Sequence, residues 1–190
     1  QPDALILLGD QCPEEPLDQI LAPFPCPVFY ILGNHDSDRP HWLENHFPAW
    51  EQNIGLQTTE IAGVRIAALP GVFRGKVWMP DGEPAWKDRQ DFLANMRGGN
   101  FKKWLPIKHW TTIFPEDFDC LVDQGPADIL VCHEAPSCHR NGFQVIDRLA
   151  EDLEVDLIVH GHQHVRYQDR LESGIKVVGL GRLGSFAVET

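Results

Sequence analysis

Val28-Phe29-Tyr30-Ile31-Leu32-Gly33-Asn34-His35-Asp36 reads as a buried strand that stops abruptly at residues rich in ligand chemistry. Residues 28–32 form a nearly continuous apolar run with β-branched and aromatic members, as expected of a strand covered on both faces. Gly33 then lets the backbone turn sharply. In an open α/β sheet, ligands bind beyond the carboxyl ends of the strands, so Asn34, His35 and Asp36 stand where chemistry is done. Taken alone, the same residues also fit a polar loop in which Ser37 or Asp38 caps a helix begun by Pro40.

The same design recurs at three other places. Ala4-Leu5-Ile6-Leu7-Leu8 ends in Gly9-Asp10, Ile129-Leu130-Val131-Cys132 ends in His133-Glu134, and Leu157-Ile158-Val159-His160 ends in Gly161-His162-Gln163-His164. The strand ends are expected to bring aspartate, asparagine and histidine side chains to one rim. Imidazole nitrogen with carboxylate or amide oxygen suits manganese, iron, zinc or nickel, and sequence does not choose among them.

In this order the chain resembles the calcineurin-like metallophosphoesterases, whose motifs are Asp-x-His, Gly-Asp, Gly-Asn-His-Asp/Glu, a lone His, and Gly-His-x-His. Gly9-Asp10, Gly33-Asn34-His35-Asp36, His133 and Gly161-His162-Gln163-His164 stand in that order over nearly the whole chain. The resemblance implies an α/β fold, a mixed β-sheet sandwich flanked by helices. The first motif is absent, because no Asp-x-His precedes Asp10 and the chain opens with Gln1-Pro2. A missing first strand would expose apolar surface and unpaired backbone, so a homo-oligomer covering that edge is expected.

Roles follow from the resemblance position by position. The cofactor would be one or two divalent metal ions, and Asp10 would bridge two, which sit roughly 3.5 to 4 Å apart in such centres. Asn34, His133 and His162 would complete one metal position, and His164 would belong with Asp10 to the other. His35 would be the general acid or electrostatic stabiliser beside the leaving oxygen, and Asp36 would orient the loop. The implied reaction is attack of a metal-bound hydroxide on a phosphodiester or a small phosphomonoester. A phosphoprotein substrate fits less well: that branch has Gly-Asp-x-x-Asp-Arg-Gly and Gly-Asn-His-Glu, whereas here Gln11-Cys12-Pro13 follows Asp10 and Asp36 replaces Glu. The alternative is a catalytically impaired member serving as an interaction scaffold, which the missing motif supports and the presence of His35 opposes.

Composition frames these readings. At 190 residues, 43% hydrophobic and 23% charged, the chain suits one globular domain over residues 1–190, incomplete at its N-terminus by the family pattern. No apolar run approaches a membrane span and no signal-peptide grammar opens the chain, so the cytoplasm is the default location. Five scattered cysteines without a Cys-x-x-Cys pair suggest neither a disulfide framework nor a zinc ribbon. A net charge of −12 argues against a nucleic-acid partner bound through its backbone.

Helices are expected over residues 14–22, 39–50, 85–96, 115–123 and 143–153, and hairpins over 56–69 and 165–180. Between the first hairpin and the next helix, Pro70-Gly71-Val72-Phe73-Arg74-Gly75-Lys76 is a glycine-punctuated loop with two cations, and Arg74 is the candidate for substrate phosphoryl oxygens. Residues 77–118 hold four of the six tryptophans and read as a helical insertion, either a lid over the site or a peripheral helix pair. His160 reads as a core or supporting histidine, and His46 and His109 as surface residues.

Overall fold

The computed structural model describes residues 1–96 and 105–188. Strands β1 (Leu5–Leu8) and β2 (Val28–Ile31) form a parallel pair, and β3 (Thr58–Ile61), β4 (Val64–Leu69), β5 (Ile129–Cys132), β6 (Leu157–His160), β7 (Tyr167–Arg170) and β8 (Lys176–Gly179) form a second sheet. The order in that sheet is β3-β4-β5-β6-β8-β7, with parallel pairing from β4 to β8 and antiparallel edges. The rim is therefore shared by two sheets. Each supplies two of the four strand ends that carry the candidate site residues.

Alternation along the strands builds the layers. Ile66, Ala68, Ile129, Val131, Val159 and Val178 face Ile31, Ile6, Leu8 and Phe29 of the first sheet and form the inner core. Their neighbours Ala67, Leu69, Leu130, Cys132, Ile158 and Val177 point the other way, against α4 (Pro115–Val122) and α5 (Gln144–Asp152). Ile146, Leu149, Ala150 and Leu153, spaced for one helical face, are all buried there. On the far side of the first sheet, Val28, Tyr30 and Leu32 meet Leu17 and Leu21 of α1 (Leu17–Leu21) and Leu43 of α2 (Pro40–Glu44). The result is a two-sheet sandwich with helices on both outer faces. β5 is buried at every residue, whereas all of β1 is half-exposed, and β1 pairs with no described strand other than β2.

Prolines shorten the expected helices. The helix expected from residue 14 starts at Leu17, because Pro16 is extended and disfavours helix in the residue before it. The helix expected over 39–50 stops at Glu44 and gives way to a 3-10 helix, Phe47–Gln52, with Pro48 near its start. The first hairpin turns at Ala62-Gly63, both at positive φ, as a two-residue loop requires.

In the 77–118 region α3 (Arg89–Asn95) is capped by Asp88, whose carboxylate accepts from the Asp91 N–H at 2.6 Å. Phe92 buries against Val77 and Phe114, and Arg89 pairs with Glu116 and Asp117. The helix end expected at Arg97-Gly98-Gly99-Asn100, and Trp104, lie outside the described residues. A 3-10 helix, Ile107–Thr111, then brings Thr111 and Thr112 back to the rim. No described helix is long and apolar enough to cross a membrane.

Candidate metal centre

The ends of β1 and β2 approach too closely for side chains at two positions. A Cβ on Gly9 would collide with the His133 ring and Gly33, and one on Gly33 would collide with Asp10 and His133. Gly9 also lies at φ +95°. Gly33 does not have a positive φ, so its role is close approach and not the sharp turn expected from sequence. Asp10, Cys12, His162 and His164 all have positive φ, a concentration of backbone strain at the rim.

His133 is the centre of the cluster. Its Nδ1 donates to the Leu8 carbonyl at 2.6 Å, which directs Nε2 toward Asn34 Oδ1 at 3.1 Å and Asp10 Oδ2 at 3.4 Å. Two oxygens thus converge on one imidazole nitrogen, an arrangement that needs either a second proton on the ring or a cation. Burial opposes charge on His133, but the hydrogen bond and attraction of Asp10 outweigh it and raise its pKa. His162 completes the group, its ring centroid 4.9 Å from that of His133, and burial with His133 nearby pushes its pKa down to about 4. Ligand atoms of Asp10, His133 and His162 lie within 4.8 Å of one another. Neutral imidazole, carboxylate and amide oxygen fit a divalent transition-metal ion.

Asp36 ties the two strand ends together from beneath. Its buried carboxylate accepts from the N–H groups of Asp10 at 2.9 Å, Cys12 at 2.8 Å and Gly33 at 2.7 Å. His46 lies beside it at 3.6 Å, also fully buried. Burial drives the Asp36 carboxyl pKa up, against the pull of His46 and the backbone donors.

His35 stands at the exposed mouth. Its main-chain N–H donates to Asp10 Oδ1 at 2.8 Å, and its ring Nδ1 donates to Asp38 Oδ2 at 2.6 Å. The Nε2 atom is left as the nitrogen that can exchange a proton with a ligand. Arg74 is half-buried beside the same loop: Nε donates to Thr112 Oγ1 at 3.0 Å, and Nη2 to Thr111 Oγ1 at 3.0 Å and the Asn34 carbonyl at 3.4 Å. Thr111 in turn bonds Ser37 Oγ at 2.6 Å. Burial pushes the Arg74 pKa down, and Asp38, Glu134 and Asp10 pull it back.

Residues 1–166 match the calcineurin-like phosphoesterase family. The chain belongs to that family. This phosphoesterase-family chain is 37% identical over 188 residues to an uncharacterized protein of Haemophilus influenzae, covering 94% of itself and 80% of that protein. It is 26% identical over 187 residues to a probable cyclic nucleotide phosphodiesterase of a Pseudoalteromonas species, covering 90% of itself but 59% of that protein. A crystal structure of a Thermus thermophilus protein shares the fold with a TM-score of 0.52 at 19% identity, over 94% of this chain and 76% of that one.

Of the residues expected at the metal centre of this phosphoesterase-family member, the structure brings together Asp10, Asn34, His133 and His162. His164 is exposed and falls outside that group. His46 and His109, expected on the surface, are both buried: His46 bonds the Trp42 carbonyl, and His109 packs on Phe92 with ring centroids 4.6 Å apart. The alternative loop reading, with Ser37 or Asp38 as a helix cap, does not hold: Arg39 is the N-cap of α2, Ser37 bonds Thr111, and Asp38 holds His35. The one legible sign was its spacing, three residues after a histidine already singled out.

Proposed function

We propose that this chain hydrolyses a phosphoester, with a phosphodiester favoured, at a divalent cation held by Asp10, Asn34, His133 and His162. The observation that carries this is the convergence of Asp10 Oδ2 and Asn34 Oδ1 on His133 Nε2 while Nδ1 is tied to Leu8. A bound cation would lower the pKa of a water and neutralise charge on a phosphoryl group. His164 is assigned to a second cation position that would share Asp10. His35, oriented by Asp38, serves as the acid for the leaving oxygen through Nε2. Arg74 has Nε and Nη2 tied to Thr112, Thr111 and Asn34, which leaves the N–H groups of Nη1 as its donors for a phosphoryl oxygen.

The probable phosphodiesterase activity in the name of the Pseudoalteromonas relative supports a diester substrate. The His35–Asp38 pair weighs against the scaffold alternative, which has no use for an oriented acid. The test is hydrolysis of bis(p-nitrophenyl) phosphate beside p-nitrophenyl phosphate with Mn²⁺ added. Preference for the diester is expected, and turnover of the monoester alone would reverse the substrate assignment.

A further inference from the structure

The register of β6, β8 and β7 aligns His160, Gly179 and Tyr167 in one row across three neighbouring strands. Neighbouring strands lie about 4.8 Å apart, so the outer two residues of the row start roughly 10 Å apart. They meet only if both side chains run over the middle strand. The Tyr167 hydroxyl does lie 2.7 Å from His160 Nε2. Glycine stands in the middle of the row, and a Cβ there would collide with the Tyr167 ring and come within 3.0 Å of His160 Nε2.

The second ring nitrogen fixes what this histidine does. His160 Nδ1 is 2.9 Å from the Gly161 carbonyl oxygen, which can only accept. Nδ1 therefore carries the proton, and Nε2 accepts from the Tyr167 O–H. Both nitrogens of a fully buried ring are used. The same Gly161 carbonyl also accepts from the Gln163 N–H at 2.7 Å, closing a three-residue turn around His162, whose φ is +62°. A turn of this kind at a non-glycine residue is strained and persists only where its surroundings hold it.

We infer that Tyr167 and His160 are positioning residues of the metal centre: they clamp the Gly161 carbonyl and so hold the strained turn that presents His162 to Asp10 and His133. The loop after β5 backs the same turn. His139 stacks on Tyr167 with centroids 5.7 Å apart, and the Asn141 amide donates to the Gln163 side chain at 3.3 Å. The inference rests on the proposed metal role of His162, but the holding of the turn is open to test without metal.

Tyr167→Phe removes only the hydroxyl, and Gly179→Ala drives the ring from its seat. Amide hydrogen exchange on the metal-free protein and Co²⁺ affinity from its visible spectrum are measured for both and for His162→Ala. In Tyr167→Phe the Gln163 amide should exchange about tenfold faster, the scale of one lost hydrogen bond, while β5 keeps its protection. Co²⁺ affinity should fall about tenfold, as is typical for groups that orient ligands. Unchanged Gln163 exchange in Tyr167→Phe overturns the inference. So does faster exchange with unchanged Co²⁺ affinity in a protein whose His162→Ala variant has lost Co²⁺. If His162→Ala binds Co²⁺ as well as the unaltered protein, the metal role of His162 fails, and the clamp stands or falls on Gln163 exchange alone. Should Gly179→Ala fail to fold, Tyr167→Phe decides.

Discussion

His35 gives one N–H to Asp10 and another to Asp38, so a single exposed residue is tied both to the candidate cation site and to its own orienting carboxylate. A general acid contributes roughly 10²–10⁴ in rate, so the role proposed for His35 predicts that His35→Ala lowers kcat on poor leaving groups by about that much while Mn²⁺ affinity holds. Asp38→Asn keeps the size but loses the charge, and should cost about 10- to 100-fold of the same effect, with KM little changed. Steady-state kinetics beside Mn²⁺ titration checks both; loss of Mn²⁺ binding in His35→Ala would instead make His35 a ligand. Asp38 was hard to read because Ser37-Asp38-Arg39-Pro40 has the grammar of a helix start, and a side chain that turns back to His35 leaves no mark in that grammar. His46 and His109 were misread for a related reason: a buried histidine is recognised by its partners, and those partners come from distant parts of the chain. By contrast, Asp10, Asn34, His133 and His162 were legible because each follows an apolar strand, and the strand fixes where its last residue goes.

The strands themselves were readable from apolar runs, and their faces from alternation, since residues two apart share a core. What the runs could not show is that β1 and β2 belong to one sheet and β5 and β6 to another, because both kinds of strand are equally apolar. Helix limits failed where prolines interrupt: Pro16 is extended and holds off the start of α1, and Pro48 has no N–H to give the carbonyl four residues back, at Glu44, where α2 stops. At this scale Asp36 is the decisive link, because its carboxylate satisfies three backbone N–H groups from the ends of both strands of the first sheet. Asp36→Ala would leave those donors buried, and at about 1–3 kcal/mol for an unsatisfied buried group it should destabilise the protein by about 3 kcal/mol and loosen Asp10. Urea unfolding with Mn²⁺ titration measures both effects; a variant with unchanged stability would remove Asp36 from this role. Leu130→Ala, in the middle of β5 against α4 and α5, should cost about 2–5 kcal/mol by the same unfolding measurement, without altering Mn²⁺ affinity in the folded fraction.

Across the whole molecule, the sandwich brings its two sheets together at the rim, where the Leu8 carbonyl of one sheet accepts from His133 at the end of a strand in the other. A cation bound there joins both sheets, so it should stabilise the folded chain as well as serve the reaction. At free Mn²⁺ about 100 times its Kd, the unfolding free energy should rise by about 2.7 kcal/mol, and a chelator should reverse it. The helices on the outer faces, legible from their spacing, support this arrangement but contribute none of the four residues at the proposed cation position. The cation proposed for those four residues is tested by the rate of bis(p-nitrophenyl) phosphate hydrolysis against Mn²⁺ concentration, for the unaltered chain and for Asp10→Asn. The rate should rise with Mn²⁺, vanish with chelator and be absent in Asp10→Asn; full activity in Asp10→Asn would rule out a cation held at Asp10 as the source of hydrolysis.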